Sequence, residues 1–196
     1  MDPVGIEMVG VGGQGILLAS QIIGEAAIRQ GEKVVMSEVH GMAQRGGVVT
    51  CSVRIGDATS PLIGNGEADI ILGFEPVETY RALAKGHDGT WVITSTNPII
   101  PFTVSSGNQT YPELEHVFEQ MRGATDKLVL VDALQKAKDA GAEITANVVL
   151  IGALAGCKSF PFEMELMKKV VLDTVPVKFK DVNARAFELG ADSCSF

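Results

Sequence analysis

The chain has 196 residues, of which 46% are apolar, with a net charge of −8 and a pI near 4.9. That length and apolar content suit one ordinary domain with a full core, and the acidic balance argues against nucleic acid or an anionic membrane as the main partner. No apolar run reaches transmembrane length, no basic region precedes an apolar stretch at the N-terminus, and the three cysteines (Cys51, Cys157, Cys194) are scattered; a disulfide framework is not expected, and a cytoplasmic location is.

The run Ile6–Val9 reads as a first strand, and Ile16 to Arg29 reads as a helix with apolar residues at three- and four-residue spacing, stopped by Gly31. Between them lies Gly10-Val-Gly12-Gly13-Gln14-Gly15. A GxGxxG that follows a strand and opens a helix has physical meaning. The first glycine permits a tight turn, the second lets backbone approach a phosphate, and the third allows close helix–strand packing; the free N–H groups of the helix then face the anion. The same turn can equally be tight β–α packing with no ligand.

Lys33–Ser37, with Val34, Val35 and Met36 as a continuous apolar run, reads as a second strand, of the kind that suits a parallel strand covered on both faces. The stretch Glu38-Val-His40-Gly41-Met-Ala-Gln44-Arg45-Gly46-Gly47 follows at its carboxyl end, where open α/β sheets bind ligands. Arg45 among glycine N–H groups suits a phosphate or carboxylate, against the alternative of a solvent-facing loop. His40 is as compatible with a hydrogen-bonded structural role. Glu38 lies 23 residues after Gly15, near where a dinucleotide fold puts its ribose-binding acid.

Val48–Ile55 reads as a third strand, antiparallel because no crossover helix fits before it. Residues 57–66 are a turn-rich link. Ala68–Phe74 reads as a buried strand, and Glu75-Pro76 opens a helix to about Leu83, with proline suited to the first turn. Thr90–Ser95 is a further strand. Asn97 to Pro112, with three prolines and Gly107, is an irregular insertion. Glu113–Met121 is helical, Leu128–Val131 is a strand, and a helix runs from Ala133 to Ala140 before Gly141. Val148–Gly156 is a helix apolar nearly all round, expected against a sheet or another subunit. Two amphipathic helices, Phe162–Val175 and Val177–Leu189, end the chain. The alternation predicts a single α/β domain over residues 1–196: a Rossmann-like three-layer fold with a mostly parallel sheet and C-terminal helices.

Several chemistries are absent. There is no lysine-containing P-loop, no GxSxG elbow, no CxxC and no Cys/His cluster, and no catalytic pair stands out, so neither catalytic nor metal-binding residues are assigned.

Four stretches together resemble the gamma subunit or domain of 2-oxoacid:ferredoxin oxidoreductases. They are Gly10–Gly15, Ser37–Gly47, Asn147 before its apolar Gly-Ala helix, and Asn183-Ala-Arg-Ala-Phe187. The wording of the second stretch is most similar to the indolepyruvate-type branch. The resemblance spans nearly the whole chain. It implies an enzyme that oxidatively decarboxylates a 2-oxoacid with coenzyme A, giving acyl-CoA, carbon dioxide and reduced ferredoxin. It also implies that thiamine diphosphate, magnesium and iron–sulfur clusters sit on partner subunits, with none in this chain. By the same resemblance, the chain would lack activity alone and would present a large apolar face to the catalytic subunit, through which the isolated chain could form homodimers. Gly10, Gly12, Gly13, Gln14, Gly15, His40, Gln44, Arg45 and Gly46 become the candidate cofactor-binding set, near coenzyme A. The competing readings are a free-standing dinucleotide-binding oxidoreductase and a nucleotide-binding regulatory module.

Overall fold

The computed structural model describes residues 2–41, 47–100, 104 and 110–194. Six strands form one sheet: β1 (Val4–Val11), β2 (Val34–His40), β3 (Val48–Ile55), β4 (Ala68–Gly73), β5 (Gly86–Ser95) and β6 (Leu128–Val131). Their order is β2-β3-β1-β4-β5-β6. β3 is antiparallel to both neighbours, and the β1–β4, β4–β5 and β5–β6 pairs are parallel. The antiparallel expectation for β3 holds, because the short link from β2 permits only a hairpin.

The helices are α1 (Ile16–Arg29), α2 (Pro76–Ala82), α3 (Leu114–Ala124), α4 (Ala133–Ala140), α5 (Ala146–Gly156), α6 (Met164–Thr174) and α7 (Lys180–Ala191). Strand alternation sorts the core into two layers. Ile6, Met8, Cys51, Val53, Ile70, Leu72 and Ile93 pack with α1 and α4–α7 in the large core. On the other face Val9, Ile71 and Val92 pack with Ile63 and Ala82, and Val77 of α2 packs with Val117, Phe118 and Met121 of α3. This is the three-layer arrangement expected from the sequence. Among the described residues, no helix is long and apolar enough to cross a membrane.

Two expectations are corrected. β2 is not an internal parallel strand covered on both faces. It is the edge strand, paired only with β3, with Met36 and Val39 exposed. A run of apolar residues signals a strand but not its place in the sheet. Cys157 and Cys194 form a disulfide, with Cα atoms 5.4 Å apart across a sequence separation of 37. The distance along the chain conceals that α5 and the turn after α7 end side by side. Cys51 is the free thiol expected in the core; burial pushes its pKa up to about 11, which keeps it protonated and unreactive.

α5 is the central helix of its layer. Residues Asn147 through Ala155 are all buried, which explains a sequence apolar all round. It crosses α7 at backbone contact. A Cβ at Gly152 would fall 2.1 Å from the Phe187 carbonyl oxygen, and one at Gly190 would fall 1.9 Å from the Val149 carbonyl oxygen. Neither neighbour is a side chain that can move aside. Gly190→Ala should therefore cost about 3 kcal/mol in urea unfolding, since the helices must separate. Gly123→Ala in α3, where a Cβ meets nothing within 4 Å, should be neutral or slightly stabilising. Equal stability of the two variants would contradict the close crossing.

Glu7 sits in mid-β1 on the face away from α1 and is 3% exposed; the Ser52 hydroxyl donates to its Oε2 at 2.6 Å. Burial raises its pKa above the usual 4.5. The folded state then binds more protons than the unfolded chain, so this contribution is most favourable below about pH 4.5 and is lost as pH rises through the folded pKa. Glu7→Gln keeps an acceptor for Ser52 and removes the charge. Its urea midpoint should exceed the wild type at pH 8 and match it near pH 4. Parallel pH profiles would show that the Glu7 charge is tolerated without loss.

Candidate functional site

The carboxyl ends of β1 and β4 form the point where the chain's connections diverge. From β1 the chain crosses one face through α1; from β4 it crosses the other through α2. A crevice outside such a divergence is where open α/β sheets place ligands. The glycine turn occupies it. Gly13 has φ 100° and Gly15 φ 76°, backbone that favours glycine. A Cβ at Gly10 would meet Gln14 Oε1 at 2.6 Å and Phe74 Cβ at 2.8 Å, and one at Gly15 would meet Asn147 Nδ2 at 2.5 Å. Gly12 differs: a Cβ there would meet nothing nearer than the Gly47 carbonyl oxygen at 3.7 Å. Packing within the chain thus requires glycine at positions 10 and 15 and leaves open space at 12.

Gln14 fixes this turn. Its Oε1 accepts from the Val11 N–H at 2.7 Å, and its Nε2 donates to the Phe74 carbonyl at 2.6 Å. One side chain ties the end of β1 to the end of β4. On the other flank, the Gly12 N–H donates to the Gly47 carbonyl at 2.9 Å, joining the turn to the β2–β3 hairpin. The N-terminus of α1 has no side-chain cap and no acid in its first turn. Its unpaired N–H groups and the positive end of the helix dipole favour an anion.

Two adjoining clefts open here, of about 360 Å³ and 250 Å³, and share Gly13, Gln14, Ile144 and Asn147. The larger runs between α1 and the α6–α7 connection, along Leu18, Val148, Val175, Phe179, Val182 and Asn183. The smaller runs over the sheet end, along Phe74, Ser95, Asn97 and Leu134. Asn147 and Asn183 are buried polar residues in a mostly apolar wall. Asn183 donates to the Phe179 carbonyl, and Asn147 accepts from the Val148 N–H. Exposed apolar side chains stand at the opening: Ile144, 86% exposed, with Phe179 and Ile99, and Val177, next but one to Phe179 in the chain, is 81% exposed.

Behind the turn stands a polar cluster. Glu75 caps α2 by accepting from the Glu78 N–H at 2.9 Å, and the Tyr111 hydroxyl donates to the same carboxylate. Burial and the Glu75 charge both push the Tyr111 pKa up, so the phenol stays a donor. Asn97 accepts from the Leu134 N–H at 2.9 Å and donates to Asp132 at 3.0 Å, which anchors the chain after β5.

The chain matches the pyruvate ferredoxin/flavodoxin oxidoreductase family over residues 5–193. The chain belongs to that family. It is 43% identical over 185 residues to the indolepyruvate oxidoreductase subunit IorB of Archaeoglobus fulgidus, covering 94% of this chain and 92% of that one. It is 46% identical over 194 residues to the IorB subunit of Thermococcus kodakarensis, covering 97% and 95%. The keto/oxoacid ferredoxin oxidoreductase gamma subunit of Geobacter sulfurreducens has the same fold, with a TM-score of 0.72, 27% identity and coverage of 97% and 98%.

Within this pyruvate ferredoxin/flavodoxin oxidoreductase domain, Gly10, Gly12, Gly13, Gln14 and Gly15 come together at the crevice. His40 does not join them. It is exposed at the end of edge strand β2, paired with Val49. Gln44, Arg45 and Gly46 lie outside the described residues, in the connection between Gly41 and Gly47. Glu38 is not where a ribose-binding acid would stand. β3 lies between β1 and β2, so Glu38 is two strand spacings, about 10 Å, from β1. The dinucleotide reading loses its second support. Asn147 and Asn183 carried the resemblance but were not among the candidate site residues. The available signal was an asparagine in the first turn of a helix, Asn147 before a wholly apolar run and Asn183 in α7.

The glycine geometry separates structure from ligand. Gly10→Ala should destabilise the chain by about 2 kcal/mol, because Phe74 and Gln14 already fill the space. Gly12→Ala should change stability by less than about 0.5 kcal/mol. Thermal unfolding of both variants decides it; a large loss for Gly12→Ala would mean the open space is filled within the chain.

Proposed function

We propose that this chain is the gamma-type subunit of an indolepyruvate-type 2-oxoacid:ferredoxin oxidoreductase, inactive alone. The observation that carries this is the near-full-length similarity to indolepyruvate oxidoreductase subunits of two organisms. The enzyme would convert an aryl pyruvate, coenzyme A and oxidised ferredoxin to acyl-CoA, carbon dioxide and reduced ferredoxin. Thiamine diphosphate with magnesium would supply the chemistry of decarboxylation, and iron–sulfur clusters would carry the electrons. We assign these groups to partner subunits and the complex to the cytoplasm. Among the described residues no three His, Cys, Asp or Glu side chains converge as a metal site.

The contribution of this chain is positioning. Coenzyme A fits the chemistry of the crevice: phosphates suit the uncapped end of α1 and the open backbone at Gly12 and Gly13, and a long, partly apolar arm suits the adjoining clefts. By the chemistry of their side chains and backbone, Arg45, Gln44 and Gly46 would add to this set, with Arg45 supplying a charged contact to a phosphate. The rim of Ile144, Val177 and Phe179 would pack on the catalytic subunit.

The test is an anaerobic pull-down with tagged chain from its host, followed by viologen reduction dependent on indolepyruvate and coenzyme A. A brown, thiamine-dependent partner and aryl pyruvate activity are expected. A chain that is purified alone and binds NAD would overturn the reading; activity confined to non-aryl 2-oxoacids would overturn the substrate half. In the reconstituted complex, Arg45→Ala should leave thermal stability unchanged and lower kcat/KM for coenzyme A by about tenfold or more, the worth of one charge-assisted hydrogen bond. Unchanged kinetics would leave Arg45 without a role at the phosphates.

A further inference from the structure

Helices α5 and α7 cross like two arms of a lever, and each end of the crossing holds something different. The pivot is the backbone contact of Gly152 with the Phe187 carbonyl and of Gly190 with the Val149 carbonyl. On one side of it, Asn147 and Val148 of α5 and Val182 and Asn183 of α7 wall the larger cleft. On the other, Gly156 lies against Ala191, and the disulfide joins Cys157, which ends α5, to Cys194 in the three-residue 3-10 turn after α7.

We propose that the Cys157–Cys194 pair is a redox latch that sets the cleft wall through the α5–α7 pivot. Both cysteines are buried, at 3% and 4% exposed, so the latch is protected while closed. The 3-10 turn carrying Cys194 is three residues long against the eleven of α5, and so short a turn is the part that opens to admit a reactant. The reaction is thiol–disulfide exchange with a small-molecule disulfide. One thiolate of the pair attacks the small disulfide, releasing a thiol; the second thiolate then attacks the mixed disulfide and releases the other. Two S–H bonds are lost, the Cys157–Cys194 bond forms, and the electron pair and both protons leave on two small thiols. An excess of small dithiol reverses it. The oxidised chain fixes the cysteine end of this backbone crossing, and the reduced chain loses that covalent hold, which loosens the crossing and the cleft wall attached to it.

The experiment uses the full chain. Alkylation without reductant, followed by intact-mass measurement, reads the latch: the chain treated with a small disulfide should be lighter by a pair of hydrogens, with both Cys157 and Cys194 unmodified. Hydrogen exchange by peptide mass spectrometry then compares the chain before and after dithiol. Peptides covering residues 146–152 and 180–187 should exchange about tenfold faster when reduced, while those of β1 and β4 stay unchanged. Cys194→Ala should show the fast pattern under both conditions, and reduction of the wild-type chain serves if that variant does not fold. Alkylation of both cysteines after oxidation overturns the proposal. So does a change confined to residues 157–160 and 192–194, which would make the disulfide a local staple.

Discussion

The site depends on one carboxamide. Gln14 accepts from Val11 and donates to Phe74, so the ends of β1 and β4 are held together at the place where their connections part to opposite faces. Without that tie the glycine turn would have two positive-φ residues and little to fix their direction. With it, the first turn of α1 is aimed over the sheet end and Gly12 reaches Gly47, which fastens the start of β3 to the same corner. The amide is occupied in shaping the crevice, so among the candidate residues Gln14 acts through the backbone it orders.

The helical layer behind the crevice works by a different principle. α5 is buried along its whole length and offers no polar face, and its contact with α7 is made through glycines. A crossing made of backbone is stiff, since no side-chain rotamer can absorb a shift. The cleft wall of Asn147, Val148, Val182 and Asn183 is therefore attached to that joint.

Local signals in the sequence were read correctly, and non-local ones were not. The strand Leu128–Val131 and the helix from Ala133 to Ala140 fall at their expected bounds because Asp132 caps the helix and Gly141 ends it with φ 117°. The glycine turn was legible for the same reason. The edge position of β2 was not, since an apolar run looks alike in the middle and at the border of a sheet. That error made Glu38 look like a ribose ligand; β3, inserted between β1 and β2, moves it away. The cysteine pair was hidden by 37 residues of chain. The division among the glycines was also illegible: positions 10 and 15 are demanded by neighbours, and 12 is not, which only the surrounding atoms reveal. The pair of buried Glu75 and half-buried Tyr111 joins residues 36 apart and leaves no periodic trace.

The exposed rim of Ile144, Val177 and Phe179 also bears on how such a chain survives between synthesis and assembly. Apolar side chains left in water around an open cleft invite self-association. The net charge of −8 opposes this, because like-charged copies repel at distances where apolar contact has not begun. Salt would weaken that protection, within a Debye length of about 8 Å at physiological ionic strength. A chain of this charge is thus kept dispersed by its acidity while it carries exposed apolar side chains beside the cleft.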